Sequence, residues 1–189
     1  MKNFILTAFI LSSVLSFGAG IPGDLPKPVV RTLNSIFGKD NVELQEKNRY
    51  GKPLSGDKFY AVYTADSPRP TGYLHVGNVK TCRAGGCSLP GNSNTDFDGE
   101  YFDYLIIFNA SAEVEVVRVF NYQASYGHEI AARGWLKQFE GFSGEQPLEA
   151  GKNIDAISGA TVSVHAITGD VKLKTKMLEE IIYNTESVE

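Results

Sequence analysis

Two apolar runs separated by a short polar turn restrict this chain to folds that contain an antiparallel hairpin. Tyr101 to Phe108 reads Tyr-Phe-Asp-Tyr-Leu-Ile-Ile-Phe, Val114 to Phe120 reads Val-Glu-Val-Val-Arg-Val-Phe, and Asn109-Ala110-Ser111-Ala112 lies in the connection. Aromatic and β-branched residues suit a pleated, half-buried surface, and so short a turn returns the second strand beside the first. Val116, Val117 and Val119 predict that the second run is a central, buried strand. Further strands are predicted at Val42 to Gln45, Phe59 to Thr64 and Gly72 to Val79. Pro26 and Pro28 set up a short helix with Val29, Val30, Leu33, Ile36 and Phe37 on one face, and Gly38 stops it. A second, amphipathic helix is predicted from about Glu129 to Phe139, where Trp135 and Phe139 are spaced i, i+4 for core packing. The last helix begins at Thr161 and turns Val164, Ile167, Val171, Leu178, Ile181 and Ile182 largely to one side. Together these elements predict an α+β domain, an antiparallel or mixed sheet packed with helices.

At 189 residues and 42% hydrophobic, the chain can build one ordinary core. A net charge of -4 without any cluster of Lys and Arg argues against nucleic acid as a partner. Lys2, the apolar run Phe4 to Leu15 and the small residues Ser16, Gly18, Ala19 and Gly20 read as a signal peptide over residues 1–20, cleaved after Gly18 or Gly20. An uncleaved anchor, through which or through a partner the chain would meet the membrane, is the other reading, but the apolar stretch falls short of the roughly 20 residues that span a bilayer. Residues 21–189 then form a single exported domain. In an oxidising compartment Cys82 and Cys87 read as a disulfide clip worth about 2–3 kcal/mol. A redox-active dithiol is the other reading, although the C-x4-C spacing differs from that of thioredoxin-like sites. No partner thiols exist for a zinc site. Asp96, Asp98 and Glu100 lack the spacing of an EF-hand calcium loop and read as part of a solvated insertion.

The chemistry concentrates in Asp155-Ala156-Ile157-Ser158-Gly159-Ala160-Thr161. Gly159 lets the backbone approach a bulky anion, and the start of the last helix offers unpaired N–H groups and a positive dipole end. A phosphate-bearing group can sit on Thr161 or be attached to it. An ordinary loop-to-helix cap, with Ser158 or Thr161 satisfying those N–H groups, is the alternative. Ser163 is a second nearby hydroxyl, and His165 shares a helix face with Thr161.

The same seven residues resemble the flavinylation motif of the bacterial FMN-binding domain family, which includes the extracytoplasmic flavin subunits of ion-translocating electron-transport complexes. The motif runs Asp, two variable residues, Ser or Thr, then Gly-Ala-Thr, and is matched at Asp155, Ser158, Gly159, Ala160 and Thr161. The resemblance implies that a Mg-dependent flavin transferase esterifies the Thr161 hydroxyl with the phosphate of FMN, and that Asp155 is recognised by that transferase; a turn-forming aspartate is the other reading. It also implies a turn facing the flavin ring at Tyr122 to Glu129, ahead of a helix with Trp135 and Phe139. Here the turn reads Ala-Ser-Tyr-Gly in place of a Glu-Thr-Pro-Gly-like core, with Gly127 where a glycine is expected. Tyr126 is then a candidate to stack on the ring, and His128 to donate a hydrogen bond to it. The implied protein is an exported electron-transfer flavoprotein with a redox partner in the cell envelope, and a soluble relative of membrane-anchored subunits. A flavin-dependent reductase of a small substrate and a flavin-free envelope binding domain are the alternatives.

Overall fold

The computed structural model describes residues 20–39, 41–47, 58–81 and 100–186. The leader, the loop before Lys58, and the insertion that carries Cys82, Cys87, Asp96 and Asp98 lie outside the described residues. Helix α1 (Lys27–Phe37) follows Pro26 and has a proline in its first turn, where a missing N–H costs nothing. Among the described residues five strands follow: β1 (Val42–Lys47), β2 (Lys58–Thr64), β3 (Gly72–Lys80), β4 (Tyr101–Asn109) and β5 (Val114–Tyr122). They form one sheet in the order β1-β2-β3-β4-β5, antiparallel throughout. The β4–β5 turn is organised by Asn109, whose Oδ1 accepts from the N–H groups of Ser111 (2.9 Å) and Glu113 (3.0 Å). The domain is α+β, with helices on both faces of the sheet.

Alternation along the strands divides the core in two. Phe102, Tyr104, Ile106 and Phe108 of β4 face one way, with Phe59, Ala61 and Val117, and pack under Val164, Ile167, Val171, Leu178 and Ile181 of α3 (Thr161–Glu186). Leu105 and Ile107 face the other way, with Leu44, Tyr60, Val62 and Leu74, and pack under Val29 and Leu33 of α1. Every residue from Tyr104 to Phe108 is fully buried, so the continuous apolar run in β4 reflects a strand covered on both faces.

Two expectations are corrected. β5 is an edge strand, not a central one. Its outer rim is covered by the chain that follows: Val114 N–H donates to Phe142 C=O and Gly141 N–H donates to Val114 C=O, each at 2.8 Å. Its valines are covered through the faces of the sheet instead, Val117 and Val119 on the α3 side and Val116 on the α1 side. The segment after Gly127 is not one helix but a 3-10 turn (His128–Ala131), a short α2 (Arg133–Leu136) and a second 3-10 turn (Lys137–Phe139). The break lies at Ala132, which is extended (φ -63°, ψ 121°), and Gly134 two residues on lowers helix propensity further. The broken path still buries Ile130, Leu136 and Phe139.

Candidate functional site

The site is assembled at the junction of β5, the broken helical segment and the start of α3. Two register shifts interrupt the β4–β5 pairing, and the second pairs Phe102 with Tyr122 but Asp103 with Phe120. Asn121 is the extra residue, with φ 49° in the left-handed region that asparagine tolerates. The bulge reverses the alternation. Phe120 points to the α1 side, and Tyr122 is turned to the α3 side, where its ring stacks on Phe102 (centroids 5.5 Å apart, planes 5° apart).

This reversal delivers the Tyr122 hydroxyl to two segments at once. It lies 2.7 Å from the carbonyl oxygen of Tyr126 and 2.9 Å from Ser163 Oγ in the first turn of α3. Burial pushes the phenol above its ordinary value, and it stays protonated at neutral pH. The turn is pinned elsewhere by Gln123 N–H on Tyr101 C=O (2.8 Å) and Ser125 N–H on Glu100 Oε1 (3.1 Å). Gly127 closes it with φ 86°, and an added Cβ would stand 2.7 Å from Ser163 Oγ and 3.1 Å from Tyr122 Oη. Tyr126 is held outward, 65% exposed, and His128 is exposed immediately after Gly127.

The segment Asp155 to Thr161 is held from the same side. Trp135 Nε1 donates to the Asp155 carbonyl at 3.0 Å, and Asp155 N–H donates to Gln138 Oε1 at 2.7 Å. Trp135 meets Phe139 edge-on (5.5 Å, 78°), so the indole both packs on the core and clasps the loop. The Asp155 carboxylate and Ser158 remain exposed. Gly159 has φ 82°, and a Cβ there would meet nothing within 4 Å, so the space over the loop is open. Ala160 is buried and its carbonyl accepts the first helical bond, from Val164 N–H at 2.9 Å. Ala160 therefore occupies the N-cap position without a side-chain oxygen to offer, and the first turn of α3 contains no acidic residue. Thr161, the first helical residue, is exposed, as are Val162 (45%) and His165. Ser163 is 4% exposed. The expected site residues thus fall into two groups, Tyr126-Gly127-His128 and Asp155 to Thr161, joined through the first turn of one 26-residue helix. The roles of Tyr122 and Gln138 were not expected; Asn121 before an aromatic at a strand end is the signal that could have pointed to Tyr122.

A second polar group lies deeper under α3. The Tyr104 hydroxyl donates to Asp170 Oδ2, and Lys174 Nζ lies 3.6 Å from Asp170 Oδ1. His75 is fully buried beside them, with its ring 4.6 Å from Phe59 and 5.4 Å from Tyr104. Burial, reinforced by the Lys174 charge, depresses its pKa to about 3 and keeps it neutral. Its sequence signal was a histidine within the otherwise apolar Tyr73-Leu74-His75-Val76.

Among the described residues no group of three or more His, Cys, Asp or Glu is arranged to hold a metal ion, and no helix is long and apolar enough to cross a membrane. A cavity of about 300 Å³ lined by Leu25, Lys58, Asp103 and Phe120 opens on the α1 side of the sheet, the face opposite α3. No family model and no curated protein matches the chain.

Proposed function

We propose that this chain is an exported flavoprotein that passes electrons in the cell envelope, with FMN esterified to the Thr161 hydroxyl by a flavin transferase. One observation carries the reading. Thr161 is an exposed hydroxyl at the first position of a 26-residue helix whose N-cap is an alanine, behind a glycine with open space over it. A phosphodiester there gains from the helix dipole, by about 0.3–1 kcal/mol, and from N–H groups that Ala160 leaves without a side-chain acceptor. FMN fits this end of the domain: the phosphate has room above Gly159, and an exposed aromatic ring, Tyr126, stands on the turn fixed to the same helical turn.

When bound, the flavin supplies the one- and two-electron chemistry. The chain's own residues do the rest. Thr161 retains the cofactor where free FMN is scarce, Trp135 and Gln138 hold the loop in place through the backbone of Asp155, and the Asp155 carboxylate is left for the transferase to read. An open site suits electron exchange with a partner protein better than chemistry on a buried substrate.

Co-expression with a bacterial flavin transferase is expected to give a yellow protein whose fluorescence survives denaturing electrophoresis. Intact mass should rise by one FMN less water, and Thr161→Ala should abolish the gain while the domain stays folded. Flavin retained by the alanine variant after denaturation would refute the site assignment. A colourless wild type would favour a flavin-free binding domain. Turnover of a small acceptor that is lost in His128→Ala, with flavin retained, would favour a reductase.

A further inference from the structure

The three hydrogen-bonding groups around Tyr122 admit one proton arrangement. A phenol has a single hydrogen. The Tyr126 carbonyl can only accept, so the hydrogen of Tyr122 lies on that carbonyl, 2.7 Å away. The Ser163 hydroxyl, 2.9 Å from Tyr122 Oη, must then donate to it. Ser163 is 4% exposed, and its hydrogen is committed. Thr161, two residues earlier, is exposed.

We infer that Tyr122 is the positioning residue of this site: it locks the Gln123–Gly127 turn onto the first turn of α3, and by taking the Ser163 hydrogen it leaves Thr161 as the acceptor hydroxyl of that turn. The first half of the inference stands on geometry alone; the choice between hydroxyls rests on the attachment reading above. Three features of the chain converge on this one contact. The Asn121 bulge exists at the residue needed to swing Tyr122 to the α3 face. The Phe102 ring fixes the phenol by stacking. Gly127 has left-handed backbone and no side chain at the spot where a Cβ would strike both Ser163 Oγ and Tyr122 Oη. With the latch closed, Tyr126 is presented outward from a turn that cannot drift from the helix start.

The test compares the wild type with Tyr122→Phe, which keeps the stacked ring and deletes only the hydroxyl, and with Ser163→Ala. In the flavin-free full chain, amide hydrogen exchange is expected to quicken at least about tenfold at residues 123–131 and 161–165 in Tyr122→Phe, with β2 to β4 unchanged. In Ser163→Ala, where the Tyr122–Tyr126 bond remains, the quickening should be confined to 161–165. Unchanged exchange in Tyr122→Phe overturns the latch whether or not flavin is ever attached. In chains loaded by the transferase, peptide mapping should find flavin on Thr161 alone in the wild type and a share of it on Ser163 in Tyr122→Phe, where the Ser163 hydrogen is released; Thr161 alone in both overturns the choice between hydroxyls. The visible circular dichroism of the attached flavin should weaken in Tyr122→Phe, because Tyr126 is no longer held against the helix start. Flavin found on Ser163 of the wild type, or an identical flavin signature in Tyr122→Phe, overturns the positioning role. A wild type that takes up no flavin refutes the attachment reading, and the exchange experiment still decides the latch.

Discussion

Gly127 and Gly159 form a matched pair for testing how the site is built. Both have left-handed backbone, φ 86° and 82°. Alanine at either position meets the same backbone penalty, about 1–2 kcal/mol. Their surroundings differ. At Gly159 the new methyl projects into open space, so the backbone penalty is the whole cost. At Gly127 it would stand 2.7 Å from Ser163 Oγ, 3.1 Å from Tyr122 Oη and 3.2 Å from Ser163 Cβ. Ordinary contact requires Ser163 to retreat by several tenths of an ångström, which breaks its 2.9 Å bond to Tyr122 and loosens the 2.7 Å bond to Tyr126. Each bond contributes about 0.5–1.5 kcal/mol. Gly127→Ala should therefore cost about 2–4 kcal/mol in all, and exceed Gly159→Ala by about 1–2 kcal/mol. Urea unfolding followed by the fluorescence of Trp135, the one tryptophan in the chain, gives both values by linear extrapolation. Ser163→Ala provides an internal control. It removes the atom at 2.7 Å and leaves Tyr122 Oη at 3.1 Å and the Cβ at 3.2 Å, so Gly127→Ala should cost about 1 kcal/mol less in that background. Equal costs at the two glycines, or no relief from Ser163→Ala, would show that the Tyr122–Ser163 contact does not exist in solution.

Two further outcomes follow from other contacts. His75 is neutral when folded, with a pKa of about 3, and titrates near 6.5 when unfolded, so the unfolded chain binds more protons between those values. The contribution of His75 is complete above about pH 6.5 and is lost as pH falls towards 3, by up to about 4–5 kcal/mol at 1.36 kcal/mol per unit; urea titrations should show this slope in the wild type and a flatter profile in His75→Leu. Trp135→Phe retains a ring against Phe139 but deletes the donor to the Asp155 carbonyl, so it should cost about 1 kcal/mol, or about 2–4 °C in melting temperature. The same variant should slow flavin loading of Thr161 by releasing the loop that presents it, and loading at the wild-type rate would argue that the indole contact has no part in presentation.

Much of the fold was legible because local pattern and burial agree. The runs at Tyr101 and Val114 form the predicted hairpin, the Thr161 helix starts where its glycine and apolar spacing place it, and Val29 and Leu33 of α1 are buried as their spacing requires. Two misreadings share a cause. Val116, Val117 and Val119 predict a central strand, and Glu129 to Phe139 one helix, because apolar spacing reports that a residue is covered but not by what. The valines of β5 are covered through the two faces of the sheet, while Gly141 and Phe142, just past the broken segment, take the edge hydrogen bonds of Val114. A continuous helix would be a different path from the one that seats Ile130, Leu136 and Phe139 and brings Trp135 and Gln138 to Asp155. The loop from Asp155 to Thr161 was visible as a string of adjacent residues. The latch was not, since Tyr122 and Ser163 are 41 residues apart and meet only because a single asparagine bulges.

The same distinction explains how one long helix can place a hydroxyl accurately. The apolar face of α3 fixes that the helix lies on the sheet, but Val164, Ile167, Val171, Leu178 and Ile181 are similar in size and shape and discriminate weakly against small slides. Moving one residue along an α-helix shifts the chain by about 1.5 Å and turns the side chain by about 100°. A slip of that size would carry Asp170 away from the Tyr104 hydroxyl and leave a largely buried carboxylate short of a donor, at a cost of about 1–3 kcal/mol or more. At the other end it would withdraw Ser163 from Tyr122. Two polar contacts, one under the body of the helix and one at its first turn, therefore set its register. Thr161, which makes neither contact, is positioned by both and remains exposed.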